Sequence, residues 1–381
     1  MENPLGSPVN ILRDSKGKGK MALVLAGGGF PGWMYEVGCL MALDQFFDDG
    51  FSVNDFDIFV GTSAGACVAS LIANQVKPRA IFEAIRDDKD SPFNFKSHDI
   101  YGFGYQETFH LLKKLAWSLG PILKYCWKNR SRTGAIELVH IFEEFLPSGI
   151  FTLKNLDRYL DRFFSLPGYT NDFRKLRGEL YIPAVDLDMG RYDVFGEGEF
   201  ADVPISKAVT ASSAIPVVFQ PVHLRGKDYI DGGVGRVAYM DIAINHQASL
   251  LFVVNPVVHT INDRTRVCIP TFYGQCGSLK DKGMSYIFDQ GNRISTDTRI
   301  YLGLKRYMAE HPDKDFLLLQ PDPADGVMFL YNVMNMAARL EVLNYGYDST
   351  VQTLRARFPE IEKAFSEHGV KVTLDNFPQT S

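Results

Sequence analysis

Phe56-Asp-Ile-Phe-Val-Gly-Thr-Ser-Ala-Gly65 is the stretch from which the architecture can be read. Residues 56–60 are a short apolar run that reads as a buried strand. A glycine-flanked turn, Gly61 to Gly65, follows at once. The small apolar residues of 64–74 then suit a helix packed tightly on a sheet. The same order occurs one unit earlier. Met21-Ala-Leu-Val-Leu-Ala26 reads as a strand, Gly27-Gly-Gly-Phe-Pro-Gly32 as a turn, and residues 32–47 carry apolar side chains at helical spacing. Two strand–turn–helix units in succession predict the start of an α/β sheet.

Working outward, strand patterns recur at 180–186, around 192–195, at 217–224 and at 250–254. Long helices are predicted at 285–310 and 326–357, with a strand at 315–320 between them. The stretch from 78 to 170 differs, because helical patterns dominate it around 105–127, 134–146 and 153–165. It reads as a helical cap inserted in the α/β domain. Residues 1–20 are polar and punctuated by Gly, Pro and Lys, which predicts a flexible leader. Their run Lys16-Gly-Lys-Gly-Lys20 could touch anionic lipid, although a solvated tail is the preferred reading. The organisation expected is one domain over 21–381, with the cap at about 78–170 and a helical extension at about 280–381.

The bulk composition narrows the functional classes. Hydrophobic residues are 46% and charged residues 22% of 381, as in an ordinary globular chain. A formal net charge of −5 argues against nucleic acid as a main partner. The five cysteines, Cys39, Cys67, Cys126, Cys268 and Cys276, are scattered and form no CxxC pair. That argues against a zinc site or a disulfide framework and for a reduced compartment. No apolar signal core and no uninterrupted apolar span of about 18 residues is seen. A cytoplasmic protein, at most peripheral to a membrane, is expected.

Three motifs carry chemistry. Gly61-Thr-Ser-Ala-Gly65 fits a nucleophile elbow, where small neighbours allow a sharp turn that lifts the Ser63 hydroxyl above the sheet. The alternative is a Gly-Ser turn that only caps a helix, and the strand–helix context favours the elbow. Gly27-Gly-Gly-Phe-Pro-Gly32 fits the spacing of a dinucleotide fingerprint. That reading wants an acidic residue about 20 positions on, near the end of the second strand, and the second strand runs instead into the serine motif. The other reading is an oxyanion loop, in which consecutive glycines let backbone N–H groups converge on an anion. Pro31 has no N–H, so the candidates there are Gly28, Gly29 and Phe30. A plain strand-to-helix turn stays open as well. Tyr229-Ile-Asp-Gly-Gly233 is an ordinary turn signal and means nothing alone. Among 45 acidic residues, the pattern does not single out Asp231.

Taken together, GGGFPG, then GTSAG after a helix and a strand, then DGG far downstream, resemble the patatin-like phospholipases. Ala211-Ser-Ser-Ala-Ile-Pro216 is similar to the family's Ala/Ser-rich block. Ala184-Val-Asp-Leu-Asp-Met-Gly190, with Val194-Phe195 after it, is similar to the strand pair ahead of that block. The resemblance spans about residues 21–245. It implies a three-layer α/β/α sandwich with a mostly parallel central sheet. It also implies a Ser-Asp dyad without histidine, Ser63 as nucleophile and Asp231 as base. Gly28, Gly29 and Ala64 would be the oxyanion donors, and Gly27, Gly32, Gly61, Gly65, Gly232 and Gly233 the supporting motif glycines. The implied substrate is a fatty acyl ester, with a phospholipid or lysophospholipid expected, and no cofactor or metal is required. Pro31 stands where family members commonly carry Arg or Lys.

Two further readings stay beside this one. A Ser-His-Asp hydrolase would need one of His223, His246, His259, His311 or His368 at the serine. A lipid-binding module on the same fold would need no turnover. Residues 105–127 mix leucines, two tryptophans and lysines, which suits a membrane surface, but a cap packed on the core is the preferred reading.

Overall fold

The computed structural model describes residues 9–12, 19–103, 146–236, 238–263, 274–330 and 338–378, with isolated positions within 109–128 and at 265 and 269. In chain order the elements are β1 (Val9–Leu12), β2 (Lys20–Leu25), α1 (Gly29–Phe46), β3 (Ile58–Gly61), α2 (Ala64–Ala73), α3 (Pro78–Arg86), α4 (Ser97–Ile100), β4 (Gly102–Phe103), β5 (Gly149–Thr152) and α5 (Lys154–Phe164). They continue with β6 (Glu179–Asp186), β7 (Arg191–Phe195), α6 (Ile205–Ser212), β8 (Val217–Phe219), β9 (Val222–Leu224), β10 (Lys227–Ile230), α7 (Met240–Asn245) and β11 (Ala248–Val254). The last are α8 (Met284–Glu310), β12 (Asp315–Leu319), α9 (Val327–Leu330), α10 (Arg339–Ala356) and α11 (Phe358–Glu367).

A nine-stranded sheet organises the molecule, in the order β1-β12-β11-β2-β3-β6-β10-β9, with β7 also on β6. The strands β12, β11, β2, β3 and β6 run parallel, and β1, β7, β9 and β10 add antiparallel pairs at the margins. Both faces of the parallel core are covered, which is why its strands are apolar throughout rather than alternating. In β2, Leu23 and Leu25 enter a core with α1, α2, α6, α10 and α11, while Ala22 and Val24 enter a second core with α7 and α8. The α/β/α layering expected from the sequence is therefore present.

Helix α1 is buried nearly all round, because it lies between the sheet and α10. The crossing is close enough that a β-carbon on Gly346 would lie 2.5 Å from the Tyr35 carbonyl.

Four sequence expectations need correction. Val9–Leu12, inside the presumed leader, pair with Leu319–Phe316 as an edge strand. The cap is not purely helical: β4 and β5 lie within 78–170 and form a small sheet with β8. The predicted strand at 217–224 is broken into β8 and β9. Cys39 and Cys67 are free and buried, but Cys276 is disulfide-bonded, contrary to the expectation of a reduced compartment. Most of 105–127, all of 134–145 and residues 331–337 lie outside the described residues. No helix among the described residues is long and apolar enough to cross a membrane.

Candidate active site

Two strands deliver the central pair. β3 runs along residues 179–181 of β6, and β10 runs antiparallel along residues 185–186. Their C-terminal ends therefore point toward each other across the middle of β6. Ser63 follows the end of β3 and Asp231 follows the end of β10. The Ser63 hydroxyl donates a 2.6 Å hydrogen bond to Asp231 Oδ2 although the two are 168 positions apart.

The turn that carries Ser63 is strained. Ser63 has φ 55 and ψ −127, an unusual conformation for a residue with a side chain. It is held by a helix that starts at once, with the Gly65 N–H on the Thr62 carbonyl at 2.8 Å and the Ala66 N–H on the Ser63 carbonyl at 2.9 Å. Gly61 closes β3, and Gly65 must be glycine because a β-carbon there would lie 2.5 Å from the Leu25 carbonyl.

The glycine loop packs directly on this turn. Gly27, Gly28 and Gly29 have φ 83, 114 and 65, all left-handed. A β-carbon on Gly27 would collide with the Thr62 carbonyl. Gly27 is buried, but Gly28, Gly29 and Ala64 are partly exposed. Gly29 and Ala64 open α1 and α2, so their N–H groups have no partner inside the helices. Two helix N-termini thus meet at Ser63, a setting that favours a developing negative charge. The Gly32 N–H returns to the Gly28 carbonyl at 3.2 Å.

Asp231 is 5% exposed. Its other oxygen accepts the Gly233 N–H at 2.7 Å, its own N–H donates to the Ala214 carbonyl at 2.9 Å, and Gly232 rests against the Pro183 carbonyl. Burial pushes the Asp231 carboxyl up to about 6, and the hydrogen bonds from Ser63 and Gly233 hold it from rising further. At neutral pH it is therefore ionised, yet more basic than an ordinary aspartate.

Among the described residues no histidine hydrogen-bonds Ser63 or Asp231. His223 meets Asp228, His246 meets Tyr181 and Glu197, His259 meets Asp297, and His368 meets Ser249. Ser63 opens onto an apolar cleft lined by Gly29, Phe30, Trp33, Ala64, Cys67, Phe95, Ile100, Leu153, Leu156, Ser213, Ile215 and Phe219. Both ends of the stretch 78–170 thus help wall the cleft, through Phe95 and Ile100 and through Leu153 and Leu156.

Sequence reasoning missed two residues here. Glu36 is fully buried in α1 and accepts the Gly27 N–H at 2.8 Å, so it anchors the glycine loop from below. Burial raises its carboxyl well above the usual range, and the hydrogen bond from the Gly27 N–H offsets only part of that. A lone acidic residue in the apolar run from Phe30 to Leu43 was the available signal. Ser212 accepts the Ser63 N–H at 3.0 Å; it lies in the Ala/Ser-rich block at 211–216, but the pattern of that block gave it no role.

A family model described as Patatin-like phospholipase matches residues 23–244, more than half of the chain. The chain belongs to the patatin-like phospholipase family. It is 25% identical over 225 residues to the probable lipid hydrolase 463L of Invertebrate iridescent virus 6, covering 59% of this chain and 63% of that protein. Two solved structures are also similar. VipD from Legionella pneumophila is 15% identical with a TM-score of 0.40, over 92% of this chain and 70% of that one. ExoU in its complex with SpcU, from the type III secretion system of Pseudomonas aeruginosa, is 16% identical with a TM-score of 0.27, over 95% and 65%.

Proposed function

We propose that this chain is a serine acyl hydrolase of fatty acyl esters, using Ser63 and Asp231 as a two-residue catalytic unit. The observation that carries the reading is the 2.6 Å contact between a strained serine and a buried carboxylate at the mouth of an apolar cleft. Asp231 takes the hydroxyl proton as Ser63 Oγ attacks the acyl carbonyl, and the N–H groups of Gly28, Gly29 and Ala64 stabilise the oxyanion. Donors of this kind contribute about 2.7–4 kcal/mol each in comparable sites. The alcohol leaves with that proton and an acyl-serine remains. Asp231 then takes a proton from water, whose hydroxide adds to the ester, and the fatty acid is released with Ser63 protonated again. The apolar walls suit an acyl chain, and membership of the family supports a phospholipid or lysophospholipid as the source of that chain.

Peripheral contact with a lipid surface is part of this reading. Trp117 is 86% and Trp127 79% exposed, with Lys113 and Lys124 exposed beside them in sequence. Trp117→Ala is expected to weaken sedimentation with anionic vesicles, and unchanged partitioning would remove that part.

The test of the whole is Ser63→Ala. The variant should fold, lose hydrolysis of p-nitrophenyl butyrate by on the order of 10⁴-fold or more, and escape labelling by a fluorophosphonate. Substantial turnover in the folded variant would end the proposal.

A further inference from the structure

Ser63 cannot hold its own backbone in place. It precedes the first turn of α2, where a serine side chain would ordinarily cap the helix, but its hydroxyl is committed to Asp231. The φ of 55 must therefore be imposed from outside. The group in position to do so is Ser212, the last residue of α6, which is fully buried. Its Oγ accepts the Ser63 N–H at 3.0 Å and donates to the Pro183 carbonyl at 2.6 Å. Pro183 lies in the stretch of β6 between the residues paired with β3 and those paired with β10, and Gly232 abuts the same carbonyl. Two residues after Ser212, the Ala214 carbonyl takes the Asp231 N–H at 2.9 Å. One short segment thus grips the backbone of both members of the pair.

We propose that Ser212 is a positioning residue, whose hydroxyl bridges the Ser63 N–H and the Pro183 carbonyl and so sets the line from Ser63 Oγ to Asp231. The inference rests on the hydrolase reading above and deepens it. Ser212 touches no substrate. Removing its hydroxyl leaves a buried N–H and a buried carbonyl unpaired, and both would relax by moving. The strained serine is the group with most to gain from moving.

The experiment compares Ser212→Ala, Ser212→Thr and Ser212→Cys with the native chain on p-nitrophenyl butyrate, counting sites by fluorophosphonate labelling. For Ser212→Ala, kcat should fall on the order of 100-fold, the cost of displacing a reacting atom by about 1 Å. KM should stay unchanged because Ser212 does not line the cleft. The rate of labelling should fall in parallel, and Ser212→Thr, which keeps a hydroxyl, should restore kcat to within about tenfold of native. A purely structural residue would lower the thermal midpoint and leave kcat per labelled site intact, and that result overturns the proposal. Should the alanine variant not fold, Ser212→Cys decides, since it keeps the volume but accepts weakly. A kcat below that of Ser212→Thr supports the proposal, and an equal one overturns it. Failure of the hydrolase reading looks different: the native chain would escape labelling, or Ser63→Ala would stay active.

Discussion

The two ends of the central sheet treat a carboxylate in opposite ways. At the end where β2 and β6 begin, Glu179 is about a third exposed and meets Lys20, the Tyr181 hydroxyl and His246. Burial alone would raise it, but the hydrogen bonds from Lys20 and Tyr181 outweigh burial and hold it below the usual range. At the end where β3 and β10 finish, Asp231 is buried, and the groups that touch its oxygens are a hydroxyl and a backbone N–H, both uncharged. Burial therefore wins there, and the carboxyl rises to about 6. The difference shows how its surroundings set the affinity of a carboxyl for a proton. A carboxylate neutralised by a cation has little affinity left for a proton. One that is desolvated and met only by neutral donors keeps that affinity, which is what the proposed role of Asp231 requires.

The comparison breaks first on substitution. Asp231→Asn should lower kcat on butyrate ester by roughly 10⁴-fold, since an amide cannot accept the proton. Glu179→Gln should leave kcat within about twofold. Equal losses in a steady-state assay would erase the distinction between the two ends.

A smaller effect concerns acyl chains. Cys67 lies one helical turn beyond Ser63 and lines the cleft. Cys67→Phe should shorten the preferred acyl chain, changing the ratio of kcat/KM for octanoyl over butyryl esters at least tenfold. A ratio that does not move would place the acyl chain elsewhere.

The pH dependence sharpens the comparison. Activity should fall as pH drops through about 6, where Asp231 gains its proton. The consequence for stability has the opposite sign. The folded state binds this proton more tightly than the unfolded chain, so Asp231 costs stability as pH rises from about 4 to about 6, and the cost is complete above that. A shift of roughly two units corresponds to at most about 3 kcal/mol. Asp231→Asn should therefore have the higher thermal midpoint at pH 8, and the gain should vanish near pH 4. A variant less stable than native at pH 8 would show that the charge is not the dominant cost.

The smallest effect belongs to Glu179. Its lowered carboxyl adds stability above the unfolded value and loses it as pH falls. With both partners exposed by more than a third, the pair is worth no more than about 1 kcal/mol. Glu179→Gln should lower the midpoint by a few degrees at pH 7 and not at pH 3, as read by thermal unfolding.

Local signals in the sequence determined the turns and the layering. The glycines before α1 are needed at positive φ within a few residues of one another, and Gly65 is needed by the close approach of Leu25 in the preceding strand unit. Apolar runs of strand length, followed by helices, fixed the α/β order because each must bury both faces. The helix at Lys154–Phe164 was likewise legible, but the helix at Pro78–Arg86 was not singled out, and β4 and β5 were missed because Gly102–Phe103 and Gly149–Thr152 are too short to show a period. Asp231 was reached through the family resemblance and not from its own surroundings, for an Asp-Gly pair after a strand is common. What only the tertiary structure decided is which groups meet. Ser63 and Asp231 touch because β3 and β10 end head-on along β6, Ser212 reaches the Ser63 N–H across 149 positions, and Glu36 lies buried beneath Gly27. Those distances depend on sheet register and on which helix covers which strand, and a hydrogen bond formed at that range leaves no periodicity in the chain that forms it.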